Sequence, residues 1–176
     1  MSPLLIKLYS RGIWCVDFEF HPREGVEGNL NEVVCMVARN LLTSQTLRLW
    51  KDELQKLAEA PFPIGEQALI VAYFSTAELN SFLSLGWKLP VNVLDLYVEF
   101  RRETNGIKLE HGKGLLGALL YFGISGGIES DEKHEMRDLI LSTGPWTDEQ
   151  KAEILDYCES DVISLEKLFL EMTNEN

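Results

Sequence analysis

The first sustained apolar run, Ile13-Trp14-Cys15-Val16-Asp17-Phe18-Glu19-Phe20, is β-branched or aromatic at nearly every position and predicts a strand over 13–20 buried on both faces. Two more strands are expected over 33–40 and 45–50. A short amphipathic stretch follows over 51–59, stopped by Pro61 and Pro63. Residues 68–73, Ala-Leu-Ile-Val-Ala-Tyr, form the next apolar strand. Ser75, with Glu78 three residues on, carries a capping-box signature for a helix running to about Leu85 and closing near Gly86. After a last short strand over 92–95 the period becomes helical, over 96–103, 115–122, 131–142 and 148–171. Thr147 and Gln150 cap the final helix, and Pro145 lies just ahead of it. Strands early, strand and helix alternating in the middle and helices at the end predict an α/β sandwich around a mixed central sheet flanked by helices.

Size and composition narrow this to one unit. With 176 residues, 45% hydrophobic and 25% charged, a single domain over 1–172 is expected, with a polar tail over 173–176. No apolar run is long enough to cross a bilayer, and the Leu-Leu-Ile patch near the amino terminus lacks the length and cleavage site of a signal peptide, so a cytoplasmic protein with no membrane partner is expected. Cys15, Cys35 and Cys158 form no C-x-x-C pair and read as buried free thiols. The net charge of −12 weighs against phosphate binding through Lys and Arg alone.

Candidate chemistry lies in the carboxylates. Asp17 and Glu19, two apart on a strand, project from the same face. Left ionised and unpartnered in an apolar strand they would cost several kcal/mol, a cost that a divalent cation offsets. A strand end where both acids reach water is the alternative. Tyr157 and Asp161, four apart, share one helix face beside the apolar stripe Ile154, Cys158, Val162, Leu165 and Phe169. They are either the other half of a site or ordinary residues of an amphipathic helix.

Together, Asp17-Phe18-Glu19 and Tyr157-Cys158-Glu159-Ser160-Asp161-Val162 resemble the first and third motifs of the DEDD 3′-5′ exonuclease superfamily, in the subclass with tyrosine in its last motif. The resemblance spans nearly the whole chain in the right order and is closest to the proofreading exonuclease domains of family A DNA polymerases. None of His21, His111 or His134 sits near the last motif, which disfavours the histidine subclass. In the second motif, where relatives usually carry aspartate, Glu78 stands in the expected place after the strand 69–73. Glu78 is therefore a ligand or a capping-box partner, and Asp95 is a reserve ligand or the N-cap of the helix that starts at Leu96.

The resemblance implies an RNase H-like exonuclease fold and hydrolysis of phosphodiester bonds at the 3′ end of DNA, single-stranded or frayed, releasing nucleoside 5′-monophosphates. It implies two Mg²⁺ ions, with Mn²⁺ as a substitute, about 3.5–4 Å apart. Asp17 would bridge the two ions or hold the first with Glu19 and Asp161, and Glu78 would act through the second, partly through water, while the Tyr157 hydroxyl would orient the attacking water. A polymerase domain in the same chain and a monomeric state are further expectations. The alternatives are a 3′-5′ exoribonuclease, a catalytically weakened module that binds nucleic acid or packs on a polymerase, and a binding domain unrelated to nucleic acid.

Substrate contacts are less legible. Gly112-Lys113-Gly114 presents backbone amides to phosphate or simply starts a helix, and Arg101, Arg102, Lys108 and Lys113 line a groove or a solvated surface. Trp87 and Phe74 stack on bases or belong to the core.

Overall fold

The computed structural model describes residues 7–21, 31–125, 130–142 and 144–174, the side chains of 130–135 excepted. The apolar patch of the amino terminus, the last two residues of the polar tail and the His134 side chain lie outside the described residues. The strands are β1 (Gly12–His21), β2 (Glu32–Asn40), β3 (Thr46–Trp50), β4 (Ala68–Ala72) and β5 (Val93–Asp95). The helices are α1 (Lys51–Leu54), α2 (Thr76–Ser84), α3 (Leu96–Glu103), α4 (Leu115–Tyr121), α5 (Ser130–Leu141) and α6 (Asp148–Thr173).

The sheet order is β3-β2-β1-β4-β5, with β1–β2 and β2–β3 antiparallel and β1–β4 and β4–β5 parallel. This is the mixed sheet that the alternation of elements predicts, and β1 is its central strand. Side chains alternate across β1. Ile13 and Cys15 join the core under α3, α4 and α6, whereas Trp14, Val16 and Phe18 join a second core with Phe62, Phe82 and Trp87. The second core is aromatic, with Trp14 stacked on Phe62 at 5.2 Å and Phe82 edge-on to Trp87 at 5.4 Å.

From β1 the chain moves to β2 and β3 on one side of the sheet and then crosses to β4 and β5 on the other. That reversal opens a crevice beyond the carboxyl ends of the parallel strands β1 and β4, where open α/β sheets place their sites. β4 pairs with β1 only from Gly12 to Cys15, so Asp17 and Glu19 extend past their parallel neighbour. The β1–β2 ladder also shifts register between Glu19 and Phe20, and such an irregularity bends the strand end.

Three element edges depart from expectation. Within 51–59 only Lys51–Leu54 is helical, because Lys56 and Leu57 bond back three residues to Glu53 and Leu54 while the Leu57 carbonyl takes the Trp87 indole N–H at 3.1 Å. The last helix runs to Thr173, whose hydroxyl donates to the Phe169 carbonyl at 2.6 Å, so the helix enters the segment expected to be tail. The Ser75–Glu78 capping box does not form, since the Ser75 hydroxyl donates to Asp95 Oδ2 at 2.9 Å. The Thr147–Gln150 box does form, at 2.9 and 3.2 Å.

Candidate active site

Asp17 and Glu19 project from the face of β1 that also carries Ile13 and Cys15, toward α6. Helix α6 is fixed over that face by a buried stripe, Ile154, Cys158, Val162, Leu165 and Phe169. Three ion pairs also tie it to the sheet. Arg48 of β3 reaches Asp156 at 2.5 Å and Glu159 at 2.7 Å, and Arg39 of β2 reaches Glu166 at 2.7 Å. Glu159 is thereby committed to Arg48, and the helix turns Cys158 onto Asp17.

The Cys158 thiol donates to Asp17 Oδ2 at 3.3 Å and to the Asp17 carbonyl at 3.5 Å. One donor atom each from Asp17, Glu19 and Cys158 lie within 4.8 Å of one another. Burial, contact with Cys35 and the Asp17 and Glu19 charges all push the Cys158 thiol up, so it stays protonated and acts as a donor. Sequence reasoning took all three cysteines as buried free thiols, which they are, and missed this contact. The only available signal was the position of Cys158, next to Tyr157 in the third motif.

Tyr157 is half-buried, and its hydroxyl is raised far above the ordinary tyrosine range by burial and then by the charges of Asp161, Glu19 and Asp17. A phenol so placed remains a neutral donor at any working pH. Asp161 follows one helical turn later, half-buried. The carboxylates of β1 and the Tyr157–Asp161 pair therefore occupy one electrostatic neighbourhood.

Glu78 comes from the opposite layer. Helix α2 packs on the aromatic face through Phe82, and Glu78 in its first turn is only 4% exposed. Its Oε2 has no hydrogen-bond partner among the described residues. Burial first, and then the Asp17 charge, hold its carboxyl well above the usual carboxylate range. A buried carboxyl with one oxygen left unsatisfied, under the influence of a second carboxylate, is an environment that a divalent cation relieves.

Asp95, the reserve candidate, is occupied. Its oxygens accept from the amides of Tyr97 (2.9 Å) and Val98 (3.3 Å), capping α3, and from Phe74 N (3.0 Å), Ser75 N (2.8 Å) and the Ser75 hydroxyl. It ties the β4–α2 turn to β5, and that turn aims Glu78. Trp87 is core at 3% exposure, whereas Phe74 is 52% exposed in the turn that follows β4. Lys113 lies in the turn before α4, where its carbonyl accepts from the Tyr73 hydroxyl at 2.5 Å. Arg101 contacts Tyr97, Arg102 pairs with Glu99 at 2.8 Å, and Lys108 is exposed. Of the histidines, His21 bonds the Ile140 carbonyl at the end of β1 and His111 is exposed. An open cavity of about 820 Å³, lined by Arg11 and residues 57–68, flanks the amino ends of β1 and β4, away from the carboxylates.

The residues thus chemically fit divalent cations: the Asp17 and Glu19 carboxylates gather with the Cys158 thiol, and the buried Glu78, whose carboxyl is raised partly by the Asp17 charge, has one oxygen with no hydrogen-bond partner among the described residues. No helix among the described residues is long and apolar enough to cross a membrane.

A five-stranded mixed sheet with helices on both faces and acids at the end of the central strand is the RNase H-like exonuclease fold. Within that class the chain is similar to RNase D of Trypanosoma brucei, with a TM-score of 0.66 and 16% identity over 98% of this chain and 61% of that one. It is also similar to RNase D of Escherichia coli, an exoribonuclease (TM-score 0.54, 16% identity, 96% of this chain and 42% of that one). A third similar structure is the catalytic core of RRP6 from Trypanosoma brucei (TM-score 0.54, 13% identity, 96% and 48%). At such identities the likeness is one of fold. The chain spans about three-fifths of the first of these proteins and about half or less of the others. The sequence matches no protein-family profile and no curated protein sequence. The motifs resembled polymerase proofreading domains, whereas two of these three structures are RNase D proteins.

Proposed function

We propose that this chain is a metal-dependent 3′-5′ exonuclease that removes nucleoside 5′-monophosphates from the 3′ end of RNA. One observation supports the reading: Asp17, clustered with Glu19 at the end of β1, acts electrostatically both on Tyr157 and on a buried Glu78 carboxyl whose Oε2 has no hydrogen-bond partner among the described residues. In this reading Asp17, Glu19 and Asp161 hold one divalent cation, and Glu78, with Asp17 beside it, serves a second. Mg²⁺ is the expected ion and Mn²⁺ a substitute, since hard oxygen donors select them. When bound, the cations supply the Lewis acidity that stabilises the entering and leaving oxygens of the phosphodiester.

The chain's own groups orient and shield. Tyr157, a neutral phenol, holds the attacking water by hydrogen bonding and does not take its proton. Cys158 fixes the rotamer of the Asp17 carboxylate through its thiol. Bound cations also answer the net charge of −12, because phosphate then meets metal before it meets carboxylate.

RNA is favoured because two of the similar structures are RNase D proteins and the Trypanosoma brucei enzyme has also been solved with RNA U12. DNA is the second reading, supported by the motif resemblance to polymerase proofreading domains. A polymerase domain in the same chain rests on that resemblance alone. Matched 5′-labelled RNA and DNA single strands, incubated with Mg²⁺, with EDTA and with Asp17→Ala, test both readings. A ladder shortening from the 3′ end only with Mg²⁺ and wild-type protein is expected, faster on RNA. Unchanged activity in Asp17→Ala sinks the assignment.

A further inference from the structure

We infer that Phe74 is the stacking surface for the 3′-terminal nucleobase of the strand, an inference that rests on the exonuclease reading above. Phe74 combines two features that are each unfavourable in isolation. Its backbone is left-handed, with φ of 72°, in a bulky aromatic residue. Its ring is also 52% exposed, so core packing does not repay that conformation. Among the described residues the other positive-φ residue that is not glycine, Ser44, is small and polar in the tight turn between β2 and β3, where such a backbone is ordinary. Unfavourable backbone at an exposed aromatic is the signature of a functional rim.

The surroundings hold the ring in place. The left-handed turn lets the amides of Phe74 and Ser75 both donate to Asp95, at 3.0 and 2.8 Å. Tyr97 meets Phe74 edge to face at 5.4 Å and is itself braced by Tyr73 at 5.8 Å. The Arg101 guanidinium lies 5.6 Å from the centre of the Tyr97 ring and bonds its hydroxyl at 2.9 Å, bringing a cation to the same rim. Phe74 stands four residues before Glu78, on the turn that Asp95 ties down. A strand whose end reaches the carboxylates beyond β1 and β4 would find this ring on the turn that leads to Glu78, and a nucleobase offers a π-face whatever its sequence. Trp87, the other aromatic candidate, is consumed by the core.

The test measures affinity with Ca²⁺ in place of Mg²⁺ for a short fluorescein-labelled oligouridylate, ending either in an intact nucleotide or in an abasic residue at the 3′ position. Phe74→Gly is expected to bind the intact end about 5- to 150-fold more weakly. It should melt at the wild-type temperature or above, because glycine adopts the left-handed backbone without strain. Phe74→Trp should keep the affinity, and the abasic end should bind wild type and Phe74→Gly alike. Equal affinity of wild type and Phe74→Gly for the intact end, or an equal loss on both ends, overturns the inference. If wild type shortens the RNA with Mg²⁺ yet binds intact and abasic ends equally, stacking falls and the exonuclease assignment stands. If it neither binds nor hydrolyses, both fall.

Discussion

Replacing Glu78 with glutamine keeps the shape of the side chain and removes its charge, and so isolates what that buried carboxyl does. In metal-free protein the folded chain holds a proton on Glu78 that the unfolded chain gives up near pH 4.5, because burial and Asp17 raise the folded value. The native state then binds more protons than the unfolded state. Stability is unimpaired by this group below the unfolded value and declines as pH rises above it. Glu78→Gln removes that decline, so in EDTA at pH 8 the variant should melt at or above wild type, while at pH 4.5 the difference should shrink. Metal reverses the order. A cation at about 100 times its dissociation constant adds about 2.7 kcal/mol. For a chain of this size each kcal/mol moves the melting temperature by about 2–4 °C. Wild type should therefore gain about 5–11 °C with saturating Mn²⁺ at pH 8, and Glu78→Gln less than half of that. Differential scanning fluorimetry at the two pH values, with EDTA and with Mn²⁺, measures all four states. A variant that is less stable than wild type in EDTA at pH 8 and yet keeps the full Mn²⁺ shift would refute the reasoning.

Tyr157→Phe should leave Mn²⁺ affinity by calorimetry close to wild type and lower the single-turnover rate by about 10- to 100-fold, the scale of one lost positioning bond in a reacting complex; an unchanged rate would remove the hydroxyl from the chemistry. For Cys158, serine keeps a donor toward Asp17 while alanine loses it, so Cys158→Ala should cost about 1 kcal/mol in urea unfolding and weaken Mn²⁺ binding. Cys158→Ser should recover most of the metal affinity, and equal affinities in the two variants would show that the thiol only packs.

Local pattern determined much of this protein. The β-branched and aromatic residues around Asp17 marked a strand buried on both faces, the period of 148–171 marked a helix, and Thr147 with Gln150 sits beside the groups it caps, so nearest-neighbour chemistry sufficed. The same-face placement of Asp17 with Glu19, and of Tyr157 one turn from Asp161, also followed from strand and helix periods alone. Tertiary structure decided what those pairs meet. Ser75 and Glu78 have capping-box spacing, yet an acid 20 residues away takes the Ser75 hydroxyl, and Glu78 is buried with its Oε2 unsatisfied among the described residues. Cys158 became a donor to Asp17 because the buried stripe of α6, with the Arg48 and Arg39 ion pairs beside it, seats the helix on the sheet with that thiol over β1. Phe74 and Trp87 looked alike as aromatic residues, and only packing assigned one to the rim and the other to the core. In each of these cases the deciding partner is distant in sequence, and competition for a hydrogen bond or a packing site is settled by the folded chain as a whole.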